Sequence, residues 1–198
     1  MSFEHFVRHA RRHPGMLSAD RRQQLAAGQK PAALFIGCSD SRVVPSQITG
    51  AEPGNLFELR TAGNVVPKYA PDSASSEMAT IEYAVLQLRV PEIIVCGHSH
   101  CGAVTALTLA GRGLEELPAL RGWLGTDGQD GVEPDDPSVR SESKRHIHAQ
   151  LQTLREYPFI QARIAAGELR LHGWFYEIDT GLVFACPQNP EATDFLPL

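Results

Sequence analysis

No apolar run in this sequence approaches the roughly 20 residues that a membrane-spanning helix needs, so a membrane protein is not expected. Neither sign of charge dominates: 18 Lys and Arg stand against 23 Asp and Glu, for a formal net charge of −5. A nucleic-acid partner, whose phosphates demand a basic face, is not expected either. The one basic concentration, Arg8, Arg11, Arg12, Arg21 and Arg22, lies among His5, His9 and His13 and reads as a solvated helical arm. Four cysteines in 198 residues are too few for a disulfide scaffold. The opening Met1-Ser2-Phe3-Glu4-His5 is interrupted by charge where a signal peptide would be apolar. These absences lead to the expectation of a soluble, cytoplasmic protein. In such a setting, cysteines near a histidine point to metal binding or catalysis.

What is present suits one domain over residues 1–198, with a helical arm at 1–28, a core at 29–186 and a tail at 187–198. Ala32-Ala33-Leu34-Phe35-Ile36-Gly37 is a short apolar run followed by turn chemistry, the pattern of a buried strand ending at Cys38. Leu56–Leu59 is a second strand candidate. Ser75–Arg89 predicts a helix, with Met78, Ile81, Val85 and Leu88 on one face and Pro91 beyond its end. Glu92–Cys96 is the next buried strand, running through Gly97–Gly102 into a helix over 103–110. The strand–loop–helix order predicts an α/β fold with a central, mostly parallel sheet flanked by helices. Residues 125–138 read as a loop, 139–156 and 158–166 as helices. A hairpin is expected over 169–178 and 182–185, turning at Asp179-Thr180-Gly181.

Three candidate ligands stand at the ends of two predicted strands: Cys38 after the first, His98 and Cys101 after the later one. Ligands in open α/β sheets bind at the carboxyl ends of the strands, so these residues meet if the strands are neighbours. Two thiolates and one imidazole form a tetrahedral zinc site with one place open, the catalytic rather than the structural pattern. Cys96 belongs to the strand and is expected to face the core, and His100 faces the wrong way for a second imidazole. Each cysteine alone would read as an ordinary buried residue. Cys38-Ser39-Asp40-Ser41-Arg42 adds weight, because an arginine two residues from Asp40 fixes the carboxylate and keeps it ionised beside the metal.

With these residues assembled, the sequence resembles a β-class carbonic anhydrase of the plant-like and bacterial branch. The family's Cys-x-Asp-x-Arg … His-x-x-Cys pattern is complete as Cys38, Asp40, Arg42, His98 and Cys101. The similarity extends to Pro53–Phe57, Arg60-Thr61-Ala62-Gly63-Asn64, Ile81–Val85, Val95–Gly102 and Leu171–Tyr176, covering roughly residues 28 to 185. The resemblance implies one zinc ion per chain, held by Cys38, His98 and Cys101, with Asp40 and Arg42 as a catalytic dyad. It implies reversible hydration of carbon dioxide to bicarbonate and a proton by metal-activated water. It also implies a substrate pocket lined by Gln29, Phe57, Ala62, Tyr83 and Gly102, and a homodimer or larger homo-oligomer as the active unit. From the residues alone, Phe57 and Tyr83 would read as core. Thr61 stands where many members have Asn. Phe35 stands where a bicarbonate-regulated bacterial branch has Trp, which weakens the expectation of a closed state with Asp40 as fourth ligand. The rival readings are a carbon disulfide or carbonyl sulfide hydrolase on the same scaffold, a non-catalytic zinc module, and a redox protein using Cys38 and Cys101.

Overall fold

The computed structural model describes residues 2–108, 114–124, 137–187 and 194–198, with backbone alone for 137–140. The expected loop over 125–138 lies outside the described residues up to position 136. Contacts group the chain into two units, Met1–Lys30 and Pro31–Leu198. In the first, helix α1 (Phe3–Arg12) ends in a tight turn at His13–Gly15, where Pro14 breaks the hydrogen-bond ladder. Helix α2 (Ala19–Ala26) is capped by Ser18, whose hydroxyl accepts from the Arg21 N–H at 3.2 Å. Neither helix has a buried residue.

The second unit is built on six strands. In chain order it runs β1 (Ala33–Cys38), α3 (Pro45–Thr49), β2 (Leu56–Thr61), α4 (Ser76–Glu82), β3 (Glu92–His98), α5 (Gly102–Thr108), α6 (Pro118–Leu124), α7 (Pro137–Arg155), α8 (Pro158–Ala165), β4 (Arg170–Glu177), β5 (Leu182–Ala185) and β6 (Leu196–Pro197). The sheet order is β2-β1-β3-β4-β5-β6. The first four strands are mutually parallel, and β5 and β6 add antiparallel. The expected α/β architecture is therefore present. No helix among the described residues is long and apolar enough to cross a membrane.

Strands β1 and β3 are apolar on both faces because both faces are covered. Leu34, Ile36, Ile93 and Val95 enter the main core with Ile147, Leu151 and Leu154 of α7. The alternate residues Phe35, Ile94 and Cys96 form a second cluster on the opposite face. Cys96 thus faces core, as its strand position predicts. Helix α7 packs on β3 and β4, and two glycines set how closely it does so. A Cβ on Gly97 would sit 2.9 Å from Ile147, and one on Gly173 would sit 2.9 Å from both Ile147 and Leu151.

Three local features depart from the sequence reading. The helix expected over 75–89 is α-helical only to Glu82, then widens into a π-helical turn at Tyr83–Gln87. Strand β2 runs two residues beyond the expected Leu59, to Thr61. The expected tail at 187–198 contributes β6, where Pro197 pairs with Phe184 on a sheet edge that tolerates proline.

The π turn and the left-handed Arg89 (φ 53°) leave carbonyls without helical partners. Arg163 of α8, 11% exposed, collects them. It donates to Val85 O at 2.8 Å, Val90 O at 3.0 Å and Glu168 O at 3.0 Å, and to Arg89 O at 3.5 Å. Arg163→Met keeps the stem but orphans these acceptors, and is expected to cost about 3 kcal/mol in urea unfolding. A loss below about 0.5 kcal/mol, the usual range for an unengaged surface residue, would contradict this role.

Candidate metal centre

Strands β1 and β3 are adjacent and parallel, so their carboxyl ends lie side by side. The sequence folds this way because each strand is an uninterrupted apolar run, stable only between two covered faces. Cys38 ends β1, His98 ends β3, and Cys101 follows in the turn before α5. Their ligand atoms all lie within 4.8 Å of one another, and all three residues are buried. The loop holding the last two is pinned: Ser99 N–H donates to Tyr176 O at 3.0 Å, and the Ser99 hydroxyl accepts from Ile178 N–H at 2.9 Å.

The donor set fits a zinc ion. The Cys38 and Cys101 sulfurs are 3.9 Å apart. Two thiolates on a tetrahedral zinc at about 2.3 Å each would be about 3.8 Å apart. His98 Nδ1 lies 2.8 Å from the Ser99 carbonyl. A carbonyl only accepts, so Nδ1 carries the hydrogen and Nε2 keeps its lone pair. That Nε2 is buried without a hydrogen-bond partner, an unmet polar atom that a metal ion would satisfy. The two thiols are close enough to hydrogen-bond, and that contact holds the Cys38 thiol below its usual range and pushes Cys101 up, with burial adding to the rise. A divalent cation would neutralise the pair with both sulfurs as thiolates. Cys96, two residues before His98, is pushed up to about 12 by burial and stays a neutral thiol.

Asp40 sits at the rim, its Oδ2 4.0 Å from His98 Nε2. Arg42 grips it with both ends of the guanidinium: Nε to Oδ1 at 2.9 Å and Nη2 to Oδ2 at 2.7 Å. The Arg42 backbone N–H adds a third bond to Oδ1 at 2.9 Å. These bonds from Arg42, above all the side-chain ones, hold the Asp40 carboxyl well below the usual carboxylate range. Arg42 Nη2 also donates to His100 O at 2.9 Å, tying the dyad to the ligand loop. The His100 ring itself turns away to Asp179 at 2.8 Å.

The remaining sequence candidates stand on several different elements. Ala62 follows β2 directly and is half-buried, and Gly102 is exposed at the first position of α5. Phe57 and Tyr83 pair with each other at 5.9 Å between ring centroids, with Tyr83 47% exposed. Gln29 is exposed and belongs to the Met1–Lys30 unit.

Two contributors were not singled out from the sequence. Arg60 of β2 donates to Cys38 O at 3.1 Å, Asp40 O at 2.7 Å and Val43 O at 2.8 Å, bracing the loop that carries the dyad. Arg60 stands in a stretch that the resemblance covers, but nothing there gives it a role, since its partners are carbonyls of β1 and of the loop after it. His146 of α7 bonds Gly63 O at 2.8 Å. It flanks the apolar stripe of Ile147, Leu151 and Leu154 rather than lying on it, so the periodicity of α7 did not mark it as buried.

A family model described as carbonic anhydrase matches residues 33–183. Among curated proteins, the chain is 43% identical over 170 residues to a carbonic anhydrase of Pseudomonas aeruginosa, covering 82% of this chain and 76% of that one. Among solved structures, the β-carbonic anhydrase CcaA superposes with a TM-score of 0.87 at 36% identity, over 98% of this chain and 91% of that one. A structure from work on two tetrameric β-carbonic anhydrases of Sordaria macrospora gives 0.70 at 28% identity, over 92% and 95%.

Proposed function

Since the chain belongs to the β-carbonic anhydrase family, we propose that it catalyses CO2 + H2O ⇌ HCO3− + H+ at a zinc ion held by Cys38, His98 and Cys101. The observation that carries this reading is the convergence of two sulfurs and one unpartnered imidazole nitrogen beside an arginine-locked carboxylate. When bound, zinc supplies Lewis acidity that lets a water lose its proton near neutral pH, less strongly behind two thiolates than behind three imidazoles.

The protein's own groups then have distinct tasks. Asp40, kept ionised by Arg42, accepts a hydrogen bond from the reacting water and points its lone pair toward carbon dioxide. Arg42 keeps the carboxylate on the rim, so it is available as acceptor. Carbon dioxide is small and uncharged, and a pocket for it needs apolar walls with one or two donors. Phe57, Ala62 and Tyr83 would supply the walls, and Gln29 and the Gly102 N–H the donors, in keeping with the family resemblance.

A homodimer or larger assembly follows as part of the same reading. It is supported by β2 standing at the end of the strand order among the described residues, by Tyr83 and Leu86 exposed at 47% and 50%, and by the solved tetrameric β-carbonic anhydrases. Four unpaired cysteines suit a reducing compartment, so we place the protein in the cytoplasm.

Zinc content and stopped-flow carbon dioxide hydration test the proposal together. About one zinc per chain and a rate rising from pH 7 to 9 are expected, because the neutralised ion acidifies its water less. Absence of zinc from replete protein, or a rate flat from pH 6 to 9, would contradict it.

A further inference from the structure

The segment after β2 carries more backbone constraint than its length suggests. Gly63 and Asn64 are both left-handed, at φ 75° and 48°, and both are buried. A Cβ on Gly63 would lie 3.0 Å from that of Ala103. Asn64 has an amide with no hydrogen-bond partner at either end, so its own side chain does not secure the bend. The bend lies against the metal centre: Thr61 is the register partner of Cys38, and Thr61 O accepts from Ser39 N–H at 2.9 Å.

Side chains from two helices secure it instead. Trp123 of α6 donates from Nε1 to Ala62 O at 3.0 Å. Gln150 of α7 accepts from Val66 N–H at 2.7 Å. One helical turn earlier, His146 reaches Gly63 O at 2.8 Å and is itself buried. Because a carbonyl accepts, His146 Nε2 is the donor, which fixes the tautomer of the neutral ring. Burial also lowers its pKa, which keeps the neutral form.

We propose that His146 is a positioning residue for the metal centre: by holding the Gly63 carbonyl, it fixes the bend that follows Thr61, the register partner of Cys38, and that meets Ala103 beside the two cysteines. Ala103, which a Cβ on Gly63 would meet at 3.0 Å, packs against Cys38, Cys101 and Val104, so the position of the bend bears on where the two sulfurs sit. Losing such outer support of ligating groups costs about 10- to 100-fold in metal affinity or activity. His146 touches neither substrate nor metal, and its effect passes through the Gly63 peptide. This rests on the zinc-hydratase reading above.

The test compares His146→Leu, which removes the donor at similar bulk, with His146→Gln, which restores one. Three quantities are read on each: zinc affinity by chelator competition, the sulfur-to-metal charge-transfer band of the cobalt(II)-substituted protein, and kcat and KM for carbon dioxide. His146→Leu is expected to weaken zinc binding and lower kcat by about tenfold, to shift the cobalt band, and to leave KM within about twofold. His146→Gln is expected to recover most of the affinity and the band position. A folded His146→Leu with wild-type affinity, band and kcat overturns the proposal. So does a folded His146→Gln as impaired as the leucine variant. If the wild type itself neither binds zinc nor hydrates carbon dioxide, the function reading fails instead, and the two failures are separable.

Discussion

Cys101→Ala is expected to leave the protein without zinc and to lower carbon dioxide hydration by at least about a thousandfold. The loss follows from the donor count. With one sulfur gone, Cys38 and His98 offer only two protein ligands where a catalytic zinc takes three. The backbone around Cys101 does not depend on the thiol, since Thr105 N–H bonds the Cys101 carbonyl at 2.9 Å to begin α5. A thermal melt by circular dichroism should therefore still show a cooperative transition. Cys96→Ala is the matched comparison: Cys96 is equally buried and two residues from His98, but faces the cluster of Phe35 and Ile94. It should retain zinc. Metal analysis of both variants decides the matter, and a full complement of zinc in Cys101→Ala would refute the ligand assignment.

Asp40→Asn is expected to do the opposite: keep the metal and lose about a hundredfold in kcat. The amide is nearly the same shape, but one of its two ends is now a donor. It cannot offer Arg42 two oxygens, and it is a weaker acceptor for the reacting water. The pH dependence has a defined sign. Arg42 depresses the Asp40 pKa in the folded protein, so the stabilisation from this pair is present at neutral pH. It is lost only as pH falls through the depressed value, well below the ordinary carboxylate range. Asp40 is accordingly ionised throughout pH 6 to 9, and the rise in rate across that interval does not report its titration. Comparing kcat over this range in wild type and Asp40→Asn, with zinc quantified in each, checks both statements. Wild-type turnover in the variant would remove Asp40 from the reaction.

Strands β1 and β3 were legible because their covered faces require continuous apolar runs, Leu34–Ile36 and Ile93–Val95, and runs of that length leave few alternatives. The juxtaposition of Cys38 with His98 and Cys101 followed from strand adjacency, which the repeated strand–helix order implies. The π-helical turn at Tyr83–Gln87 was not legible, since one inserted residue barely changes the spacing of Met78, Ile81 and Val85. Strand β6 was hidden because a two-residue strand containing Pro197 has no pattern of its own and gets its register from β5. Arg60, Arg163 and His146 were missed for one shared reason. Each binds backbone carbonyls far away in sequence, and a carbonyl carries no residue identity for a motif to record.

The glycines at 97 and 173 have a mechanical consequence. Helix α7 meets the sheet where two side chains are missing, so the gap between these layers is set by hydrogen atoms alone. A methyl group at either place would act as a shim under Ile147. The residue next to Ile147 on the same rod, His146, grips the bend at Gly63. Side-chain volume deep behind the sheet is thereby geared to the seat of the sulfurs, and an enlargement at position 97 would call for a matching contraction at 147.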